Sequence, residues 1–115
     1  MPITEQDLVH LRTAVALARE AYDAGDQPFG TVLVDEDGTV LWSGRNHAGG
    51  GDETQHPELA AAQWSARLAP EVRARCTVYT SGEHCPMCSA AHGWMGLGRI
   101  VYALSSEQLL GWRQE

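Results

Sequence analysis

Apolar positions recur at helical spacing early in the chain and at strand spacing soon after. Leu8, Leu11, Val15, Ala18 and Tyr22 share one stripe. Thr4 stands where an N-cap belongs and Gly25 where a helix stops. A short apolar run from Thr31 to Val34 follows. Asp35-Glu36-Asp37-Gly38 then predicts a hairpin turn, and Thr39 to Ser43 the returning strand. Asn46 to Gln55 is polar and contains Gly49, Gly50 and Gly51, so it reads as a loop. His56-Pro57-Glu58 opens an alanine-rich helix to about Leu68, and Pro70 breaks the pattern. Pro57 suits a first helical turn, where the missing N–H has no helical partner to lose. Cys76 to Ser81 predicts a strand, with Val78 and Thr80 alternating against Tyr79. Cys85-Pro86 predicts a second proline-started helix, to about Gly96. Arg99 to Leu104 predicts another strand, and Ser105 to Trp112 a closing helix.

The order is helix, strand, strand, helix, strand, helix, strand, helix. It predicts an α/β sheet that opens with a hairpin and whose later strands, joined by helical crossovers, run parallel. The 115 residues suit one domain, residues 1–115, with a core of ordinary size.

Composition narrows the function classes. Hydrophobic residues make up 43% and charged residues 20%, which fits a globular chain. The formal net charge is −7, and the basic residues are all arginines without a stripe or tail. A protein that tracks a polyphosphate needs a positive face, because neutralising phosphates releases counterions. The expected partner is therefore not a long nucleic acid. No apolar run reaches the roughly 18 residues of a membrane span. Met1 to Leu11 lacks a signal-peptide pattern, so a cytoplasmic location is expected. Three cysteines, two of them in C-x-x-C, favour metal or redox chemistry over a disulfide framework.

The chemistry concentrates in two motifs. His56-Pro57-Glu58 is H-x-E and Cys85-Pro86-Met87-Cys88 is C-x-x-C, and each opens a predicted helix. Imidazole and thiolate are good zinc ligands, and three protein ligands leave a fourth position for water. Cys85 and Cys88 are one helical turn apart, so both can point at one ion. A helix N-terminus also favours thiolate over thiol. An open zinc site brings the pKa of a bound water to about 7. Glu58 follows His56 on the same first turn and can move that water's proton without ligating the ion. H-x-E followed by C-x-x-C is the described arrangement of the zinc deaminases. A purely structural zinc would need a fourth protein ligand, and His84 is available for it.

With those motifs the chain resembles the cytidine deaminase-like superfamily, and within it the nucleoside, guanine and tRNA-adenosine deaminase branch. Pro28-Phe29-Gly30 before Thr31-Val32-Leu33-Val34 resembles the branch's first strand. Gly44-Arg45-Asn46 resembles its substrate-binding asparagine motif. Asp52 to Glu58, and Tyr79 through Cys88, resemble its histidine and cysteine motifs. The resemblance implies a three-layer α/β/α fold with a mixed central sheet. It implies Zn2+ on His56, Cys85 and Cys88, with Glu58 as proton shuttle. It further implies that Asn46 hydrogen-bonds the substrate ring, that Phe29 lines the pocket and that Trp94 lies near the base. Asn46 can equally be a turn residue bonded to its own backbone. Phe29 can be core, and Trp94 core or interface. Glu83 is read as supporting the ligands or as a solvated turn acid. His84 stands where relatives usually carry proline. It is expected in the pocket, against a substrate substituent, or on an exposed turn.

These readings converge on hydrolytic deamination of a small amino-heterocycle that releases ammonia. The substrate would be a free nucleobase, an analogue such as an aminotriazine, or a nucleoside. A tRNA adenosine deaminase and a non-catalytic zinc module are the alternatives. The resemblance also implies a homodimer, with Trp94, Leu109 and Trp112 as interface apolars.

Overall fold

A computed structural model describes residues 3–104. Helix α1 (Glu5–Asp23) starts where the sequence predicts. The Thr4 hydroxyl accepts the Asp7 N–H at 3.1 Å, and the Asp7 carboxylate accepts the Thr4 N–H at 2.9 Å. That reciprocal pair satisfies two N–H groups that the first turn leaves without helical partners. The buried stripe of α1 is Asp7, His10, Ala14, Ala18 and Ala21, with Leu11 and Leu17 half-buried. The predicted stripe is therefore turned from the true one. Val15 and Tyr22 face solvent, because the small residues on the neighbouring stripe let the helix lie close to the sheet. Gly30 shows the same close approach: a Cβ there would collide with the Ala14 carbonyl and the Leu17 side chain.

Strands β1 (Gly30–Val34) and β2 (Val40–Arg45) form the expected hairpin. The Asp35 carboxylate closes its turn by accepting the Asp37 and Thr39 N–H groups, and Gly38 takes φ +87°. Helix α2 (Pro57–Trp64) is shorter than predicted. It tightens into a 3-10 turn at Ser65–Arg67, and Pro70 starts a separate short helix, α3 (Pro70–Arg73), instead of only ending the previous one. Strand β3 (Thr77–Gly82), helix α4 (Pro86–Trp94) and strand β4 (Arg99–Leu104) complete the fold. The predicted helix from Ser105 to Trp112 lies outside the described residues.

The strands lie in the order β2-β1-β3-β4. β1 is antiparallel to both neighbours and β3 is parallel to β4, so β2, β3 and β4 share one direction. The sheet is mixed, as expected. Alternation along the strands divides the core into two. Val32, Val34, Tyr79 and Val101 pack against α1. Leu33 and Val78 pack on the other face, with Ala62 from α2 and Ala91 from α4. The result is a three-layer α/β/α arrangement with α2 and α4 side by side. Among the described residues no helix is long and apolar enough to cross a membrane.

The two ends of the described chain are tied through Asp7. Its carboxylate accepts two hydrogen bonds from the Arg99 guanidinium, at 3.0 and 2.9 Å, and one from the Tyr79 hydroxyl at 2.6 Å. Arg99 holds the Asp7 carboxyl well below the ordinary carboxylate range, against the opposing effect of burial. Burial, then the bond to Asp7, pushes Tyr79 up to about 12. Folding therefore favours ionised Asp7. Its contribution is complete above the ordinary value of 3.8 and drains away as pH falls below it. Asp7→Asn is expected to cost about 3 kcal/mol near pH 7, the low end for a broken buried pair because Arg99 is one-third exposed. Urea unfolding at pH 7 and pH 3 checks this: the gap between variant and wild type narrows at the lower pH.

Candidate active site and metal centre

The site forms where α2 and α4 begin. His56 is the N-cap of α2 and Cys85 the N-cap of α4, and each is followed by a proline in the first helical turn. Both caps have extended backbone, so each side chain leaves its helix end sideways. Because α2 and α4 pack together, the two ends meet at the carboxyl end of β3. Ligand sites of α/β sheets favour such strand ends.

His56 Nδ1 lies 3.5 Å from Cys85 Sγ and 3.5 Å from Cys88 Sγ. The three donor atoms all lie within 4.8 Å of one another. Tetrahedral zinc with ordinary Zn–S and Zn–N bonds needs N···S separations of about 3.6 Å. The donor set and its spacing therefore fit such a cation. Cys85 Sγ also accepts the Cys88 N–H at 3.4 Å, which orients its lone pairs within the first turn of α4. Burial, then the charge of Glu58, pushes the Cys88 thiol above its ordinary value. A cation in the site would oppose that effect, since positive charge favours thiolate.

Glu58 sits beside the donors and is 5% exposed. Burial raises its carboxyl above the ordinary range, and a hydrogen bond from Thr31 opposes the rise. Thr31 Oγ1 donates to Glu58 Oε1 at 3.1 Å. Sequence reasoning missed Thr31. Its place in an apolar strand gave no sign of a functional contact, although a hydroxyl inside such a strand is itself the signal.

A small cavity opens beside these groups, with about 260 Å³ of empty space that includes open solvent. Phe29, Asn46 and Glu83 line it together with His56, Glu58 and Cys85. Asn46 is buried, and its Oδ1 accepts the Ala48 N–H at 2.8 Å. Asn46 is thus a turn residue that also lines the cavity. The turn is held from outside by Asp26, whose carboxylate takes Arg45 at 2.8 Å and the Gly49 N–H at 2.8 Å.

Two expected pocket residues lie elsewhere. Trp94 is 92% exposed at the end of α4 and is not part of the lining. α4 carries its ligands on its first turn, and Trp94 falls at the far end of the helix. His84 is also outside the lining. Its ring meets His92 edge-on at 5.5 Å, and burial holds it down to about 4, as a neutral imidazole. It is not part of the donor group formed by His56, Cys85 and Cys88. Cys76 is buried apart from the site and donates to the Val72 carbonyl.

Known proteins carry the same architecture. The sequence model of the cytidine and deoxycytidylate deaminase zinc-binding region matches residues 4–104. The chain is 40% identical over 108 residues to a probable cytosine deaminase of Schizosaccharomyces pombe, covering 94% of this chain and 66% of that one. It is 36% identical over 96 residues to a guanine deaminase of Bacillus subtilis, covering 81% of this chain and 61% of that protein. The crystal structure of Bacillus subtilis guanine deaminase superposes with a TM-score of 0.77 at 32% identity, covering 90% of this chain and 68% of that one. The chain thus spans about two thirds of the length of these relatives. With its match to the family model, its mixed sheet and its His-Cys-Cys donor group, the chain belongs to the cytidine and deoxycytidylate deaminase zinc-binding family.

Proposed function

We propose that residues 1–115 form one zinc-dependent deaminase domain that replaces an exocyclic amine of a small amino-heterocycle by oxygen and releases ammonia. The substrate class is a cytosine- or guanine-like free base, an analogue such as an aminotriazine, or the corresponding nucleoside. One observation carries the reading: a buried carboxyl that is not part of the donor group lies beside a three-donor metal centre and a small pocket. A structural zinc module would have no use for that carboxyl or that pocket.

His56, Cys85 and Cys88 would hold the zinc. When bound, it would supply a Lewis acid that brings a water's pKa to about 7. The rest falls to side chains of this chain. Glu58 takes one proton from the water and passes it to the ring nitrogen beside the amine-bearing carbon. The carbon gains the water's oxygen as a hydroxyl, Glu58 then carries that hydroxyl's remaining proton to the amine, and the amine leaves as ammonia. Water plus the amine-bearing ring gives the oxo ring plus ammonia, and Glu58 ends as it began. The raised carboxyl suits this task, because a group that must both take and give a proton works best with a pKa near the operating pH. Asn46 offers its carboxamide N–H groups to the ring, with its oxygen anchored by the Ala48 N–H. Phe29 bounds the pocket with an apolar ring, and Glu83 adds acidity at its rim. The net charge of −7 disfavours a polynucleotide in this pocket and suits a small substrate.

The test is ammonia release by the zinc-loaded chain on cytosine, guanine, adenine and aminotriazines, and on their nucleosides. Turnover of at least one free base or nucleoside is expected. Silence across the panel, together with tight salt-dependent tRNA binding, would move the assignment to tRNA adenosine.

A further inference from the structure

We propose that Thr31 is a positioning residue that holds the Glu58 carboxyl group in both of its protonation states; the inference rests on the deaminase reading above. All five residues of β1 are buried, and Thr31 is fully so. An unpaired hydroxyl at such a place costs on the order of 1–3 kcal/mol. Valine would keep the strand's β-branched shape without that cost. The hydroxyl is instead paired twice. It lies 3.1 Å from Glu58 Oε1 on α2 and 3.4 Å from the hydroxyl of Thr80, its register partner on β3. Thr80 is also fully buried.

The chemistry explains why a hydroxyl suits this position. Glu58 must be a carboxylate before it takes the water's proton and a carboxylic acid before it gives that proton away. An ionised carboxyl only accepts hydrogen bonds, and a protonated one also donates. An amide N–H or a guanidinium can only donate, so it offers no acceptor to the O–H of the acid. A threonine hydroxyl serves both: it donates to the carboxylate and, after rotating about Cβ–Oγ, accepts from the acid. Thr80 can take or supply the second bond. No net proton passes through Thr31, so the proton count of the reaction is unchanged. The carboxyl is thereby held in one place through the cycle without a buried polar atom being left unpaired in either state.

The experiment compares Thr31→Val, which keeps shape and removes the hydroxyl, with Thr31→Ser, which keeps the hydroxyl. Thr31→Val in the full zinc-loaded chain is expected to lower kcat about tenfold or more, the effect of one hydrogen bond to a charged group. KM and zinc content are expected to hold within about twofold, and Thr31→Ser to recover most of kcat. The second readout is the carbon-13 resonance of the Glu58 carboxyl, assigned by its absence in Glu58→Gln. It is expected to move in Thr31→Val and return in Thr31→Ser. An unchanged kcat in Thr31→Val, or an equal loss in Thr31→Ser, overturns the proposal. Where the wild type turns over none of the bases, the resonance decides alone. A shift then supports the positioning role and places the failure on the substrate reading, and an unmoved resonance overturns the role. If Thr31→Val does not accumulate as folded protein, Thr31→Ala takes its place with the same expectations.

Discussion

Glu58→Ala is expected to lower turnover by about 100- to 10,000-fold, the contribution of a positioned proton-transfer group, while the chain stays folded and keeps its zinc. The reason lies in what Glu58 touches. It is not part of the donor group formed by His56, Cys85 and Cys88, so its loss removes no ligand. It accepts a hydrogen bond from Thr31, whose hydroxyl keeps Thr80 at 3.4 Å as a partner when the carboxyl is gone. Burial of the carboxyl is unfavourable to its charged form, so truncation also relieves a strain on the folded chain. Glu58→Gln separates the explanations. The amide fills the same space and can accept from Thr31, yet cannot carry the proton. It is expected to lose activity to the same order as Glu58→Ala. Ammonia release, metal analysis and thermal unfolding on the two variants check the three parts. Substantial turnover in Glu58→Gln would falsify the assigned proton route.

The chemistry of this site was more legible in the sequence than its surroundings. Histidine, cysteine and proline reveal themselves locally. A proline after His56 and another after Cys85 mark two helix starts, and helix starts are where N-cap side chains project. The pairing of the two starts follows from the packing of α2 on α4, which alternating strand residues and two crossovers already imply. The hairpin was legible for the same reason, since Asp35 to Gly38 can hardly form anything but a turn. What stayed hidden depends on contacts distant in sequence. The buried stripe of α1 includes Asp7, and an apolar pattern cannot pick out a polar residue whose partners are Tyr79 and Arg99. Thr31 hid in an apolar strand because its partner stands 27 positions away. Trp94 lies at the far end of α4 from the ligands, and His84, before the helix begins, turns its ring against His92; neither placement shows in the order of residues around the cysteines.

Cys88→Ala is expected to reduce zinc content from about one per chain to less than about one tenth, and to abolish turnover with it. Cys88 is fully buried, and its thiol lies against Glu58 and Cys85, so the site gathers negative character as its ligands ionise. A dication offsets that repulsion, and the three donors share the task. Two remaining donors would have to hold the ion in a pocket shaped for three, with an alanine methyl where a thiolate stood. A bound zinc would also stabilise the folded chain, because an ion that binds only the folded state stabilises it by about 4 kcal/mol when present at a thousand times its dissociation constant. A chelator is therefore expected to lower the unfolding temperature of the wild type and to leave Cys88→Ala, already low, unmoved. Cys76→Ala is the control. That cysteine is as deeply buried but bonds the Val72 carbonyl and is not part of the donor group, so its loss should cost packing without changing zinc content or the chelator response. Stoichiometric zinc in a folded Cys88→Ala chain would place the ion on other ligands. His84 is the natural one to suspect by sequence. Its ring meets His92 and lies outside the donor group, so His84→Ala is expected to leave zinc content unchanged.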